Sequence, residues 1–268
     1  MKKENNNCNK ITLIGSNHKE NGNCTVNSLV EIFEEIQPDI IFLEINNKYP
    51  HSVYSQELET KAVIEYTKRY NVKTIPIDTL EDDNIINNFL IFESNSFIDY
   101  EEVIQYKLEI EQLEKDLKIF SNSQDDIFNT FLQKKSEVII AYEDVMRLKQ
   151  TIEQISNDTK KYGFKILNTK EFDKLVAIRN ELFKKYIYNF KKGMIDEYEK
   201  YYDLLIDKRE IEWIKNIKNF FNESENYHNT VLLVGHFHRI TLINKLKTLE
   251  NVVFDFYYKK MSPTLNVM

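Results

Sequence analysis

The sequence predicts an α/β protein: a mostly parallel sheet flanked by helices, assembled from repeated strand, Gly-x-x-His, helix, strand units and interrupted by a large all-helical insertion. Three observations carry this prediction. Residues 11–18 (ITLIGSNH) and 231–238 (VLLVGHFH) share one design, a β-branched and leucine-rich run that ends in Gly-x-x-His. Each is followed by helix-like sequence and a second apolar run, IIFLEI at 40–45 and VVFDFY at 252–257. Between about 80 and 226, by contrast, helical periodicity dominates and strand signals are almost absent. The chain has only five glycines and five histidines, so both motifs draw on scarce residues.

Length and composition bound the rest. A chain of 268 residues with 42% hydrophobic content can bury a sizeable core, and a single domain over 1–268 with an 80–226 insertion is expected. The net charge of −7, with Lys and Arg interleaved among Asp and Glu, offers no basic footprint for nucleic acid. The polar start MKKENNNCNK has no apolar signal region, and no stretch approaches a membrane span, so a soluble, cytoplasmic protein is expected. Two cysteines, Cys8 and Cys24, without C-x-x-C spacing read as reduced thiols rather than a disulfide or metal framework.

Taken in order, residues 11–14 form a short buried strand with Gly15 at its turn. His18 then lies at or just past the strand's carboxyl end, where open parallel sheets bind ligands. Thr25 or Asn27 caps a helix carrying Val30, Ile32, Phe33 and Ile36, which Pro38-Asp39 closes. The run 40–45 is a second strand, and Glu44 within it demands a partner, because a buried carboxylate costs several kcal/mol unless it is paired. A helix over about 55–70 carries Leu58, Ala62, Val63 and Tyr66, with Glu59 in its first turn, and VKTIPID is a third strand ending at Asp78.

In the insertion, Val103, Tyr106, Ile110, Leu113, Leu117 and Phe120 recur at three- and four-residue spacing. A break at 121–126 allows an antiparallel return through Phe131, Val138, Tyr142 and Val145, a helical hairpin whose stripe serves packing or a homodimer contact. Asn157-Asp158 and Gly163 mark turns, and a last helical stretch over about 171–221 is interrupted near Gly193. Arg209, Trp213 and Asn216 or Ile217 share one face of its end, which directs Arg209 toward the histidines.

With these residues in view, the chain resembles the TraB/PrgY/GumN family, whose superfamily includes the Tiki proteases, the erythromycin esterases and the ChaN haem-binding proteins. Gly15–His18 is similar to its first Gly-x-x-His, PDIIFLEI to the following strand with Glu44, and the helix bearing Glu59 to its acidic helix. Arg209-x-x-x-Trp213 is similar to its Arg-Asn-x-x-Trp helix and VLLVGHFH to its second motif. The likeness covers roughly 11–80 and 205–258. It departs from the family at Phe237 and at Arg239-Ile240-Thr241, which predicts a narrower or differently shaped pocket, and at Glu210 and in having no membrane segment after the domain, which argues against a membrane or cell-surface role. Arg179-Asn180 lacks the tryptophan and is set aside.

Two imidazoles and a carboxylate at neighbouring strand ends make a three-ligand site for a divalent metal with an open position. The expected ligands are His18, His238 and Glu44, with manganese, cobalt or zinc as the ion, and Glu44 is a third ligand or the general base. Arg209 is expected to stabilise an oxyanion or hold a substrate carboxylate. Glu59, Asp78 and His236 are expected as supporting or alternate ligands, with Glu59 and His236 also offered to substrate. The resemblance implies a metal-dependent peptidase or amidase acting on a peptide or small molecule. A metal-free esterase-like hydrolase using His18 as base, oriented by Glu44, and a protein that sequesters a peptide or haem remain open. Asp255, the repeat's counterpart of Glu44, and Cys24 are expected to be structural, and His51 and His228 to lie in loops.

Overall fold

The protein is described here from a computed structural model covering residues 9–46, 57–78, 100–120, 125–223, 229–247 and 252–257. His51 and His228 lie outside these residues, as do 79–99 and 121–124 of the expected insertion.

The sheet has five strands in the order β3-β2-β4-β1-β5, and every pair is parallel. These are β1 (Asn9–Ser16), β2 (Ile40–Asn46), β3 (Lys73–Asp78), β4 (Asn229–Gly235) and β5 (Val252–Phe256). The first strands of the two repeats lie side by side, with Ser16 opposite Gly235. Each repeat then steps over the other: β1 leads through α1 (Val26–Ile36) to β2 beyond β4, and β4 leads through α9 (His236–Leu246) to β5 beyond β1. Parallel crossovers are right-handed almost without exception, so steps in opposite directions put their helices on opposite faces. The core follows that rule. On one face Ile14, Ile41, Leu43, Val231 and Leu233 pack with Leu29, Val30 and Phe33 of α1 and with Ala62, Val63 and Tyr66 of α2 (Leu58–Thr67). On the other, Ile11, Leu13, Ile40, Phe42, Leu232 and Val234 pack with Trp213 and Ile217 of α8 (Arg209–Glu223) and Leu242 and Ile243 of α9.

Between β3 and β4 the described residues are helical: α3 (Tyr100–Phe120), α4 (Asp125–Tyr162), the single turn α5 (Phe164–Leu167), α6 (Lys170–Phe190) and α7 (Ile195–Tyr202), before α8. The chain divides into two compact units. One comprises Met1–Asp83, Ile155–Ala177 and Tyr201–Met268; the other comprises Asn84–Gln154 and Ile178–Lys200. Two stretches of the 80–226 segment, 155–177 in its middle and the part from 201 onward, belong with the sheet because they bury apolar groups against it. Phe164, Leu167, Phe172 and Val176 join the α1 face, and Trp213 and Ile217 join the opposite one. Within the second unit Leu113, Val138 and Val145 of the expected stripe are buried, Lys134 and Lys135 pair with Glu109 and Glu114 at 3.3 and 3.2 Å, and Tyr106 meets Phe190 edge-on at 4.4 Å.

Local signals account for the boundaries. Thr25, not Asn27, caps α1, in a reciprocal box with Ser28. The expected turn at Asn157-Asp158 does not form; α4 runs on to Tyr162 and ends at Gly163, whose φ of 59° a side chain would disfavour. The break near Gly193 is present as a 3₁₀ turn at Lys192–Met194, and a π turn at Asp203–Lys208 precedes Arg209. Among the described residues, no helix is long and apolar enough to cross a membrane.

Candidate active site

The two Gly-x-x-His motifs end adjacent strands, and their glycines make room for each other's side chains. A Cβ on Gly235 would lie 3.2 Å from His18 Nε2 and 3.5 Å from Glu44 Oε2. A Cβ on Gly15 would lie 2.9 Å from Arg239 Cδ and 3.3 Å from His236 Cα. The motifs are interleaved, which explains why each carries a glycine at its strand's end, Gly15 one residue before the last of β1 and Gly235 the last of β4.

The histidines themselves differ. β1 stops at Ser16, and His18 sits in the loop beyond it, half exposed, its carbonyl accepting the Leu58 N–H at 2.9 Å. That bond ties the loop to the first turn of α2. His18 Nδ1 lies 3.0 Å from Glu59 Oε1, which also accepts from the Ser16 hydroxyl at 2.5 Å. β4 instead passes straight into α9, so His238 lies in a helical first turn and is buried. Its Nδ1 is 2.8 Å from Glu210 Oε1 and its Nε2 3.5 Å from Glu44 Oε1, while Trp213 packs on the ring at 4.9 Å.

Glu44 finds the partners its position requires. Alternation along β2 puts it on the α8 and α9 face with Ile40 and Phe42. Its Oε2 accepts the Gly235 N–H at 2.7 Å, at the start of α9, and its Oε1 lies 3.0 Å from Arg209 Nη2. Burial opposes ionisation, but His238, Arg209, His18 and the Gly235 N–H outweigh it and hold the carboxyl at about 2. For His18, burial disfavours the charged ring, yet the Glu59 hydrogen bond and the charges of Glu44, Glu59 and Glu57 raise it to about 9. Glu57 is raised above the usual carboxylate value by burial and by Glu59 and Glu44, against the pull of His18.

His18, Glu57 and Glu59 form a group that can hold a metal ion, each offering one donor atom and all within 4.8 Å of one another. The fit has independent support. Glu59 Oε2 is buried and has no hydrogen-bond partner among the described residues. A cavity of about 10 Å³, the space of one water-sized atom, is lined by His18, Glu44, Glu57 and Glu59 among others. One imidazole and two carboxylates suit zinc, manganese or cobalt and leave a position open.

This group shares one residue with the expected ligand set. Of His18, His238 and Glu44, only His18 belongs to the described three-donor group. Glu44 is instead charge-balanced by Arg209 and the α9 N-terminus, and His238 is held between two carboxylates. The expected substrate role of Arg209 meets a structural one. Its Nε and Nη2 donate to Asp78 at 3.0 and 2.7 Å, Nη2 also reaches Glu44, and the guanidinium stacks on Trp213 at 4.8 Å. Asp78 is not in the donor group; it anchors Arg209 and accepts from the Trp213 indole at 3.2 Å. His236 donates from Nδ1 to the Ser16 carbonyl at 3.0 Å and packs against Phe172, joining the motifs rather than facing the cation group. Of the three expected supporting or alternate ligands, Glu59 is the one in the described donor group. Asp255 is exposed and pairs with Lys10 at 3.0 Å, and Cys24 is fully buried with its thiol pushed up to about 12 by burial and by Glu59.

Two residues, Glu57 and Asn168, escaped the sequence reading, and a third, Glu210, entered it only as a departure from the family. Glu57 precedes α2, and its signal was the acidic pair with Glu59 at a helix start. Glu210 lies fully buried on the stripe of Trp213 and Ile217, where a carboxylate on an apolar face was the available signal. Asn168, also fully buried, accepts from Gly15 N–H at 2.8 Å and donates to Gly15 O at 3.1 Å across 153 residues of sequence, and no local pattern announces it. The departures at Glu210 and Arg239 are likewise explained: Arg239 is fully buried, donating to Asp173 at 3.0 Å and to the Leu13 carbonyl at 2.8 Å, and so clamps the end of β1.

Fold and site together define an α/β protein with a histidine–carboxylate cleft at the carboxyl end of an all-parallel sheet. Comparison with protein-family models, curated proteins and solved structures finds no match for this chain.

Proposed function

We propose that the chain is a divalent-metal-dependent hydrolase of peptides or small amides, of the kind that resemblance to the TraB/PrgY/GumN family implies, with His18, Glu57 and Glu59 as ligands. The observation that carries this reading is the three-donor group beside the partnerless Glu59 Oε2. A divalent cation there supplies Lewis acidity toward a carbonyl oxygen or a water at neutral pH. The chain's own residues set the frame. Ser16 and the Leu58 N–H hold Glu59 and the His18 loop in place. Glu44, tied to Arg209 and Gly235, borders the same cavity and places a fixed negative charge beside it. Asp78 holds Arg209 from behind. The cavity has the size of an ion or a water, so a sequestering role for haem or a peptide draws no support from it.

The test is metal content after dialysis against zinc, manganese or cobalt, with cleavage of a mixed-peptide pool, for wild type, His18→Ala, Glu59→Gln and His238→Ala. Wild type and His238→Ala should retain metal, while His18→Ala and Glu59→Gln should lose at least about tenfold in affinity, together with cleavage. Metal lost in His238→Ala but kept in Glu59→Gln would return the site to His18, His238 and Glu44. A wild type that neither binds metal nor cleaves ends the hydrolase reading.

A further inference from the structure

The three donors come from two pieces of chain. Glu57 and Glu59 stand together at the start of α2, whereas His18 is carried by the loop that links β1 to α1. Donors must be held to within about 0.5 Å of the binding geometry, so what fixes this loop decides whether the group assembles. On one side the Leu58 N–H, in the first turn of α2, donates to the His18 carbonyl at 2.9 Å. On the other the loop is latched to the end of α4, where a helix leaves its last carbonyls without partners. The Thr159 carbonyl accepts from the Gly163 N–H at 2.9 Å, the Lys160 carbonyl from the Asn23 N–H at 2.9 Å, and the Lys161 carbonyl from Asn23 Nδ2 at 2.6 Å. Backbones meet closely from both sides: a Cβ on Gly22 would lie 2.1 Å from the Lys160 carbonyl oxygen, and one on Gly163 2.3 Å from that of Asn23. Both glycines have positive φ, 57° and 59°, so two of the chain's five glycines serve this contact. Between the anchors the loop closes on itself. Asn21 and Cys24 pair at 3.1 and 3.0 Å, and Glu20 accepts the Val26 N–H at 3.1 Å. All of these residues belong to the unit that contains the sheet.

We propose that Asn23 is a positioning residue for His18: by closing the last turn of α4 it fixes the loop, keeps the imidazole at donor distance from Glu59, and so sets the cation affinity of the site. The inference deepens the hydrolase reading and rests on it for its purpose. Asn23 acts through the backbone between 23 and 18 rather than as a ligand, and no local pattern marks it, because the partner of its side chain lies 138 residues away. Coupling of this kind is reciprocal, so a cation that draws His18 toward Glu57 and Glu59 steadies the latch in turn.

The experiment is hydrogen–deuterium exchange of the full chain, read at single amides, together with zinc titration of wild type, Asn23→Ala and His18→Ala. The Leu58 N–H, bonded to the His18 carbonyl, reports the loop whether or not a cation is present. In metal-free Asn23→Ala it should exchange at least about tenfold faster while the interior strands β1 and β4 keep their wild-type rates, and zinc affinity should fall by at least about tenfold. In wild type, zinc should slow the Asn23 and Leu58 amides together. Asn23 is exposed and its side chain makes one hydrogen bond among the described residues, so the variant should fold. Gly163→Ala disturbs the same latch from the α4 side and should loosen Leu58 likewise. Four outcomes overturn the proposal: an unchanged Leu58 amide in Asn23→Ala, faster exchange spread through β1 and β4, a wild-type zinc affinity in that variant, or zinc slowing Leu58 but not Asn23. If wild type takes up no more zinc than His18→Ala, the cation reading fails and the claim on affinity with it. The metal-free Leu58 amide then still decides whether Asn23 places His18, so the two failures are told apart.

Discussion

Glu44 shows why a charged residue can stand in a buried strand. A carboxylate there costs several kcal/mol unless its charge is met, and the guanidinium of Arg209, the Gly235 N–H and the two histidines meet it. A carboxyl depressed to about 2 contributes stability that is present above about pH 4.5, its unperturbed value, and is lost as pH falls toward 2. The urea-unfolding gap between wild type and Glu44→Gln should therefore be constant above about pH 4.5 and narrow on acidification; a flat gap would show that Glu44 carries no charge in the fold. His18 has the opposite sign. Raised to about 9, it contributes fully below about 6.5, and the gap between wild type and His18→Gln in chelator-treated protein should close as pH rises through 9. The strained glycine contact gives a third prediction. Gly15→Ala drives a methyl to 2.9 Å from the tethered Arg239 Cδ and 3.3 Å from the His236 backbone, and should cost about 1–3 kcal/mol by urea titration. At this scale Glu44 stood out because it breaks an apolar run and His18 because it follows a strand and its glycine, whereas Arg209 was singled out only through the family resemblance. Glu57 was not singled out, and Glu210 only as a departure from the family, because acidic residues near a helix start are common and their meaning depends on what the helix faces.

Elements rather than residues decide how unlike the two motifs become. The same Gly-x-x-His leaves His18 in a loop after β1 and puts His238 inside α9, because β4 turns directly into its helix while β1 needs the loop to reach α1. The strand runs were readable from short apolar stretches, and α1 from its Thr25 cap. The end of β1 was not, since it is completed by Asn168, which mimics a strand neighbour by bonding both the N–H and C=O of Gly15. Asn168→Ala removes two buried hydrogen bonds at once and should lower stability by about 1–3 kcal/mol, together with metal affinity at the adjoining loop. Unchanged stability in that variant would mean the β1 end is held by Arg239 alone.

Over the whole molecule, the order β3-β2-β4-β1-β5 is what brings residues from 18 and 238 to one edge. Interior strands β2, β4 and β1 have neighbours on both sides and bury both faces, so their amides should exchange most slowly with deuterium, ahead of the edge strands β3 and β5. Faster exchange in β4 than in β3 would contradict this order. The sequence by itself determined the α/β class, the parallel strands, the helical middle and the strand-end location of His18, because periodicity, glycine placement and buried charge are written locally. Tertiary structure alone decided that the repeats interleave, that 155–177 and the part from 201 onward belong with the sheet, and that His18 groups with Glu57 and Glu59 while His238 faces Glu210. The reason is physical: a donor set depends on which side chains converge within a few ångströms, and that follows from strand order and helix face, which no local pattern encodes.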